Sequence, residues 1–338
     1  MENENEVKKE NNLPPITSII IVIALVVGAT LYTVRLPKIQ GSESLSHPAR
    51  LSSQNEISVQ NGVELPVRWG DMGLKMTEAG VIDKVRFENL YSQRGGLSKA
   101  DKKLLEGIDN GNLVINSENS GVILNMLWAL GLGNKNPILE NGPMMDPKYG
   151  GAGNFASTGG WTLSQGGAMT HYSMHQFMTL TPEQQALVER VAKNIYRPCC
   201  GNSTYFPDCN HGMAMLGLLE IMASQGVTEA DMYKAALSVN SFWFPDIYET
   251  IKIYMKNKGV EWKDVNPQEM LGANYSSGQG FAQIASQVTQ PVQKGGSGGC
   301  GVNAGTPAPV QQRQQSGCGV DAGQPALVPQ RQQGGCGI

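Results

Sequence analysis

The chain has 338 residues, a formal net charge of −3 and 16% charged side chains. It has no run of Lys and Arg interleaved with aromatic residues, which argues against nucleic acid as a partner. It contains six cysteines and four histidines, so the placement of those few residues carries most of the chemical information.

Residues 1–15 are polar and charged. Residues 16–34, reading ITSIIIVIALVVGATLYTV, carry no charge at all. At about 1.5 Å per residue a helix of this length nearly covers the ~30 Å hydrocarbon layer. A single transmembrane helix in contact with the lipid bilayer is therefore expected there. Neither an Ala-x-Ala cleavage site nor a lipobox cysteine follows, which favours a retained signal-anchor over a removed signal peptide. Lys8 and Lys9 precede the segment while Arg35 and Lys38 follow it, so flanking charge barely sets the orientation. The short leading segment and large trailing domain place that domain, as an expectation, on the extracytoplasmic side of the cell membrane.

Residues 35–64 are rich in Ser, Asn and Gln and read as a stalk, with His47 facing solvent. A mainly α domain is expected over 65–288. Trp69, Met72, Leu74, Met76, Val81, Ile82, Val85 and Phe87 recur at roughly helical spacing. Ser98-Lys99-Ala100-Asp101 reads as a capping box with Asp in the Glu position, opening a helix through Leu104, Leu105 and Ile108. Residues 121–132 (GVILNMLWALGL) are apolar on most sides and too short to cross a membrane, which predicts a central buried helix. The glycine-rich passage 142–167 lacks GxGxxG and GxxxxGK[ST], so it carries no nucleotide signal; it is expected to be an ordered loop over the core.

Thr181-Pro182-Glu183-Gln184 supplies an N-cap threonine, proline at the first helical position and glutamine at the third. The helix it opens should run through Leu187, Val188, Val191, Ala192 and Ile195 and stop before Pro198. Further helices are expected over 212–224, from Thr228 through Leu237, and from Pro245 to Met255. Strand signals are thin throughout.

The sixteen residues Arg197 to Gly212 hold Cys199, Cys200, Cys209 and His211. Thiolates suit Cu(I), Zn(II) and Hg(II), and an imidazole adds a borderline nitrogen. Adjacent cysteines cannot form a CxxC zinc knuckle, so the spacing points to a soft metal without naming it. His171 and His175, if helical, share one face, with Met174 and Met178 on a neighbouring one. Together with Met213 they are candidate extra donors, although methionine at helical spacing usually fills a core. The same residues admit other chemistry. Cys199 or Cys200 can be read as a nucleophile activated by Arg197 or a protonated His211, with Asp208 orienting the imidazole and Asn202, Ser203 and Thr204 binding a substrate oxygen. In an oxidising compartment, Cys209 can instead pair with Cys199 or Cys200 as a structural disulfide. No GxSxG nucleophile elbow, HExxH helix or haem-attaching CxxCH is read in the chain.

Tyr196-Arg197-Pro198-Cys199-Cys200-Gly201, followed by Asp208-Cys209-Asn210-His211-Gly212, resembles bacterial membrane-anchored domains marked by a PCYCGC motif, whose role is undefined. The likeness covers some twenty residues, and this chain has Pro-Cys-Cys-Gly in the motif's place. No characterised family is recognised in the rest.

Residues 289–338 repeat a Gly-Cys-Gly unit at Cys300, Cys318 and Cys336, a period of 18, between QQRQQ and PQRQQ linkers. With almost nothing to bury, this tail is expected to lack a packed core. The favoured sequence reading is an anchored soft-metal binding or relay protein, with Cu(I) or Zn(II) at the cluster and tail thiols exchanging ions with it or with a partner. A thiol–disulfide oxidoreductase or cysteine-nucleophile enzyme is the first alternative. The second is a structural or adhesive surface protein that self-associates through tail disulfides.

Overall fold

The structure of the protein is a computed structural model that describes residues 62–288. The segment expected to span the membrane at 16–34, the stalk up to residue 61 and the tail with Cys300, Cys318 and Cys336 lie outside the described residues. Among those described, no helix is long and apolar enough to cross a membrane.

The domain is mainly helical, and it opens with a strand the helical reading missed. β1 (Val63–Gly70) buries Leu65, Val67 and Trp69 on one face while Glu64, Pro66 and Arg68 face outward. That is a period of two, the mark of a half-buried strand. The following Met72 and Met76 continue the apolar spacing inside a helix, which blurred the boundary. Helices α1 (Met72–Glu78), α2 (Lys84–Ser92) and α3 (Lys99–Glu106) come next, then β2 (Asn110–Ile115). β2 pairs antiparallel with β1, with a register shift between Glu64 and Arg68. Pro66 sits in that interval and has no N–H to give to a ladder. Val85, expected inside, is 65% exposed. The capping box at Ser98 and Asp101 forms as read, with both reciprocal bonds present.

α4 (Ser120–Gly133) is the central helix, buried on nearly every side along its length. Short α5 (Pro137–Asn141) precedes the glycine-rich passage, which α6 (Ala156–Gly159) punctuates together with several 3-10 turns. That passage is ordered over the core: Trp128 of α4 donates its indole N–H to the Ser157 carbonyl at 2.6 Å and packs against Trp161, 5.0 Å between centroids with the rings tilted by 59°. α7 (Pro182–Asn194) has the complete Thr181–Gln184 capping box. α8 (Asn210–Ser224), α9 (Glu229–Trp243) and α10 (Pro245–Asn257) follow, and α11 (Pro267–Leu271), α12 (Ala273–Ser276) and α13 (Gly278–Ala285) close the domain.

α4 and α8 cross at a pair of glycines. A Cβ on Gly131 would lie 2.0 Å from the Met213 carbonyl oxygen, and one on Gly217 would lie 2.5 Å from that of Leu127. Only hydrogen at both positions lets the two backbones approach this closely. The contact fixes α8, and thereby its N-terminus, against the buried central helix α4.

Candidate metal centre

α7 ends at Asn194, and the chain then doubles back before entering α8. Ile195 accepts from both the backbone N–H and the hydroxyl of Thr204, at 2.7 and 3.1 Å. Tyr196 and Ser203 form an antiparallel bridge, and the Tyr205 N–H reaches the Ala192 carbonyl at 3.1 Å. The turn is also tied from outside. Gly278 donates to the Cys200 carbonyl at 3.0 Å, and Ser157 of the glycine-rich passage donates to that of Asp208 at 3.1 Å. Backbone hydrogen bonds therefore hold Cys199 and Cys200 beside the residues that open α8.

The sulfurs of Cys199 and Cys209 lie 3.6 Å apart. Ligand atoms of Cys199, Cys209 and His211 all fall within 4.8 Å of one another, and so do those of Cys200, Asp208 and Cys209. Cys209 belongs to both groups and is the hub. It is also the N-cap of α8, its sulfur accepting from the Gly212 N–H at 3.4 Å. That position favours negative charge through the helix dipole. The cluster is thus a Cys/His/Asp set able to coordinate a metal ion. Its cysteines are free thiols; the disulfide between Cys209 and Cys199 or Cys200 is not formed, since a bond needs about 2 Å.

Arg197 lies under the cluster, with its side chain 0% exposed. Its Nη2 donates to Asp208 at 2.6 Å and to the Phe206 carbonyl at 3.2 Å, while Nε and Nη1 are buried with no partner. Room for the guanidinium exists because residue 212 is glycine: a Cβ there would stand 2.7 Å from the arginine Cζ. Hydrogen bonds from Cys199 and Cys200 hold the Cys209 thiol well below its ordinary pKa, with the Arg197 charge assisting and burial opposing. Cys199, which gives those hydrogen bonds to Cys200 and Cys209, is pushed up. For Cys200 the hydrogen bond from Cys199 lowers the value, but donation to Cys209 and burial outweigh it and carry the thiol to about 11. Within the cluster Cys209 is therefore the sulfur that most readily carries negative charge.

His211 is wedged against Phe244 at 4.4 Å and Trp243 at 5.6 Å between ring centroids. Its Nδ1 is buried without a hydrogen-bond partner, an arrangement that a ligand to that imidazole would satisfy. Asp208 does not orient this ring. Its two oxygens take Arg197 and the Asn202 amide, the latter at 2.7 Å. Burial pushes the Asp208 carboxyl upward, with Arg197 opposing. Thr204 is spent on Ile195 and Asn202 on Asp208, so the substrate-binding roles read for them give way to internal ones. Two surface depressions, one bordered by Asn141, Met145 and Tyr205 and one by Lys75, Glu78 and His175, have no cysteine in their walls.

The other sequence candidates fall elsewhere. Residues 171–178 are not helical. His171 and His175 meet each other, ring nitrogens 2.9 Å apart, beside the C-terminal end of α4. That end is marked by Asn136 bonding to Glu220 of α8, ten residues or roughly 15 Å along the helix from Asn210. Met213 is fully buried in the core. The sequence reading passed over Glu220 itself, the one charge in the apolar run MAMLGLLEIMAS. Its carboxyl is fully buried, accepts from the Asn136 amide on one oxygen and has no partner on the other.

No protein-family model, no curated protein and no solved structure matches this chain.

Proposed function

We propose that the cysteine cluster binds a soft cation, Cu(I) first and Zn(II) second, through Cys199, Cys200, Cys209 and His211. The observation that carries this is the Cys199–Cys209 sulfur separation of 3.6 Å within a group that includes His211. Two thiolates about 2.3 Å from one tetrahedral ion stand about 3.8 Å apart, so little movement is needed to admit one. Arg197 supports the same reading. Its two unpartnered donor nitrogens, Nε and Nη1, suit anionic acceptors, which metal-bound thiolates supply and a neutral disulfide does not. His211 would be the nitrogen donor, and Cys199, the exposed member, the point of ligand exchange.

In the full reading the domain is held at the membrane by residues 16–34 on the extracytoplasmic side, and tail thiols at Cys300, Cys318 and Cys336 hand ions to Cys199. What supports the anchor is the uncharged run in the sequence; what supports the relay is the exposure of Cys199. The test is elemental analysis and free-thiol counting on protein purified anaerobically, wild type beside a Cys199/Cys200/Cys209 triple serine variant. One ion per chain that disappears in the variant is expected. Equal metal content in the two proteins refutes the proposal.

A second reading is favoured by one feature, the lowered Cys209 thiol beside exposed Cys199. It is thiol–disulfide exchange, in which Cys199 and Cys209 pass from dithiol to disulfide as a partner's disulfide is reduced to its two thiols, and back as that partner is reoxidised. Turnover that persists in metal-free protein and ends with Cys209→Ser would select it.

A further inference from the structure

The two histidines left out of the cysteine cluster occupy a built position of their own. Ser173 between them has φ of +55°, a left-handed backbone that a non-glycine residue adopts only when its surroundings impose it. The surroundings do so. Ser173 and His175 donate their backbone N–H groups to the carbonyls of Leu132 and Gly133, both at 2.9 Å, and Lys135 donates to that of His175 at 2.7 Å. The Ser173 hydroxyl oxygen accepts from the Asn136 N–H at 3.1 Å. This bracing sets the imidazoles edge to edge, 5.2 Å between centroids and 24° between planes, with the Phe177 ring 5.2 Å from that of His175 and 21° from its plane.

The tautomers follow from the partners. Nε2 of His171 lies 2.8 Å from the Gln165 carbonyl, which can only accept, so Nε2 carries the proton and Nδ1 a lone pair. Nε2–H of His175 then donates to that Nδ1 at 2.9 Å. A carbonyl fixing the far nitrogen of an imidazole is the usual support of a metal-ligating histidine. The pair also sits at the C-terminal carbonyls of α4, where the helix dipole favours a cation. His175 and the Glu78 carboxylate border one surface depression, and Glu78 makes no hydrogen bond or ion pair among the described residues. Burial and its neighbour His171 lower the pKa of His175, which keeps that ring neutral.

We propose that His171 and His175 form a second metal site, separate from the cysteines, that chelates a borderline divalent ion of the Cu(II) or Ni(II) type through Nδ1 of His171 and Nε2 of His175. Cis nitrogens about 2.0 Å from a square-planar ion are about 2.9 Å apart, so the existing separation already suits the chelate. The two nitrogens now face each other along their hydrogen bond, so each ring must turn by about 45° to aim its lone pair at one ion. No proton is lost: that of His175 moves from Nε2 to Nδ1 through solvent, and the ion takes its place between the rings. The site does not depend on the cysteine proposal and can hold where that one fails.

The test uses the full chain in detergent with all six cysteines changed to serine, titrated with Cu(II) and followed by paramagnetic resonance. One equivalent bound at micromolar or better, with coupling to two imidazole nitrogens, is expected. His171→Asn and His175→Asn should each remove one nitrogen coupling and weaken binding by at least about tenfold, as a chelate becomes a single ligand, whereas His47→Asn should change nothing. Circular dichroism checks that each variant is folded, and half-exposed His175 is the substitution the fold tolerates better. Binding unchanged by either substitution, or no equivalent bound at micromolar Cu(II), overturns the proposal.

Discussion

Glu220 should make this domain progressively less stable as pH rises through neutrality. Its carboxyl is fully buried in α8, with Asn136 donating to one oxygen and nothing bonded to the other. Burial pushes its pKa from 4.5 up to about 8, while the hydrogen bond from Asn136 and the nearby amide of Asn134 offset only part of that cost. The sign follows from proton counting. Between the two values the folded chain keeps the proton and the unfolded chain has lost it, so the native state binds more protons and its stability falls with rising pH. The contribution is whole below about pH 4.5 and lost as pH approaches 8. At about 1.4 kcal/mol per pH unit the span corresponds to on the order of 3–5 kcal/mol. Glu220→Gln reproduces the shape of the protonated acid and cannot ionise. It should match the wild type within about 1 kcal/mol near pH 5, where hydrogen bonding is alike in the two, and exceed it by several kcal/mol at pH 8. Guanidinium unfolding with chelator and reductant present, followed by far-ultraviolet circular dichroism from pH 5 to 8, reads this directly. Parallel stability curves for the two proteins would refute the argument, because they would mean that the buried carboxylate is already ionised and paired.

Three other expectations test the scaffold and the cluster. Gly131→Ala places a methyl group 2.0 Å from the Met213 carbonyl oxygen, so α4 and α8 must part; a loss of about 3 kcal/mol or more, near 6–12 °C in Tm, is expected, and a shift under 2 °C would disprove the close crossing. Arg197→Met leaves Asp208 facing a vacated site and should cost on the order of 3 kcal/mol while weakening metal retention; Arg197→Lys should restore part of the retention through charge alone, having no planar fork. Equal metal content in Arg197→Met and the wild type would show that the guanidinium serves the fold only. Because Cys199 and Cys200 hold their protons at neutral pH, metal uptake must expel about two of them, and affinity should rise by up to about 100-fold per pH unit. Competition titrations at pH 6.5 and 7.5 that agree within threefold would contradict that thiol assignment.

Local signals in the sequence carried the helices wherever capping chemistry is explicit. Ser98 with Asp101 and Thr181 with Gln184 each form the reciprocal bonds their spacing implies, and the apolar stretch at 121–132 is the central helix. The first strand was hidden because Leu65, Val67 and Trp69 alternate over too few residues before helical apolar spacing resumes. The metal cluster was legible as composition, three cysteines and a histidine in sixteen residues. Its support was not. The role of Gly212 depends on a guanidinium fifteen positions upstream packing against it, and the crossing at Gly131 and Gly217 depends on two helices separated by the whole glycine-rich passage. The histidine pair misled for a related reason: a four-residue spacing suits a helix, yet here it arises from a left-handed turn at Ser173 anchored to the end of α4.

The cluster's geometry also separates its members by role. Cys209 and His211 belong to the start of α8, a helix locked against α4 by the glycine crossing, and His211 is pinned further by Phe244 and Trp243. Cys199 and Cys200 belong to a turn fixed by backbone hydrogen bonds to Ile195, Ala192 and Gly278. One half of the ligand set is therefore held by a packed core and the other by a loop, and Cys199 is the exposed cysteine of the cluster. An ion entering would meet Cys199 first and reach the Cys209 thiolate only by ligand exchange. If that order holds, Cys199→Ser should slow metal uptake and release more than it weakens equilibrium affinity, whereas Cys209→Ser should abolish binding outright. Stopped-flow transfer to a chelator, set against equilibrium competition, distinguishes the two. Equal losses of rate and affinity in both variants would show that the sulfurs act as one undivided shell.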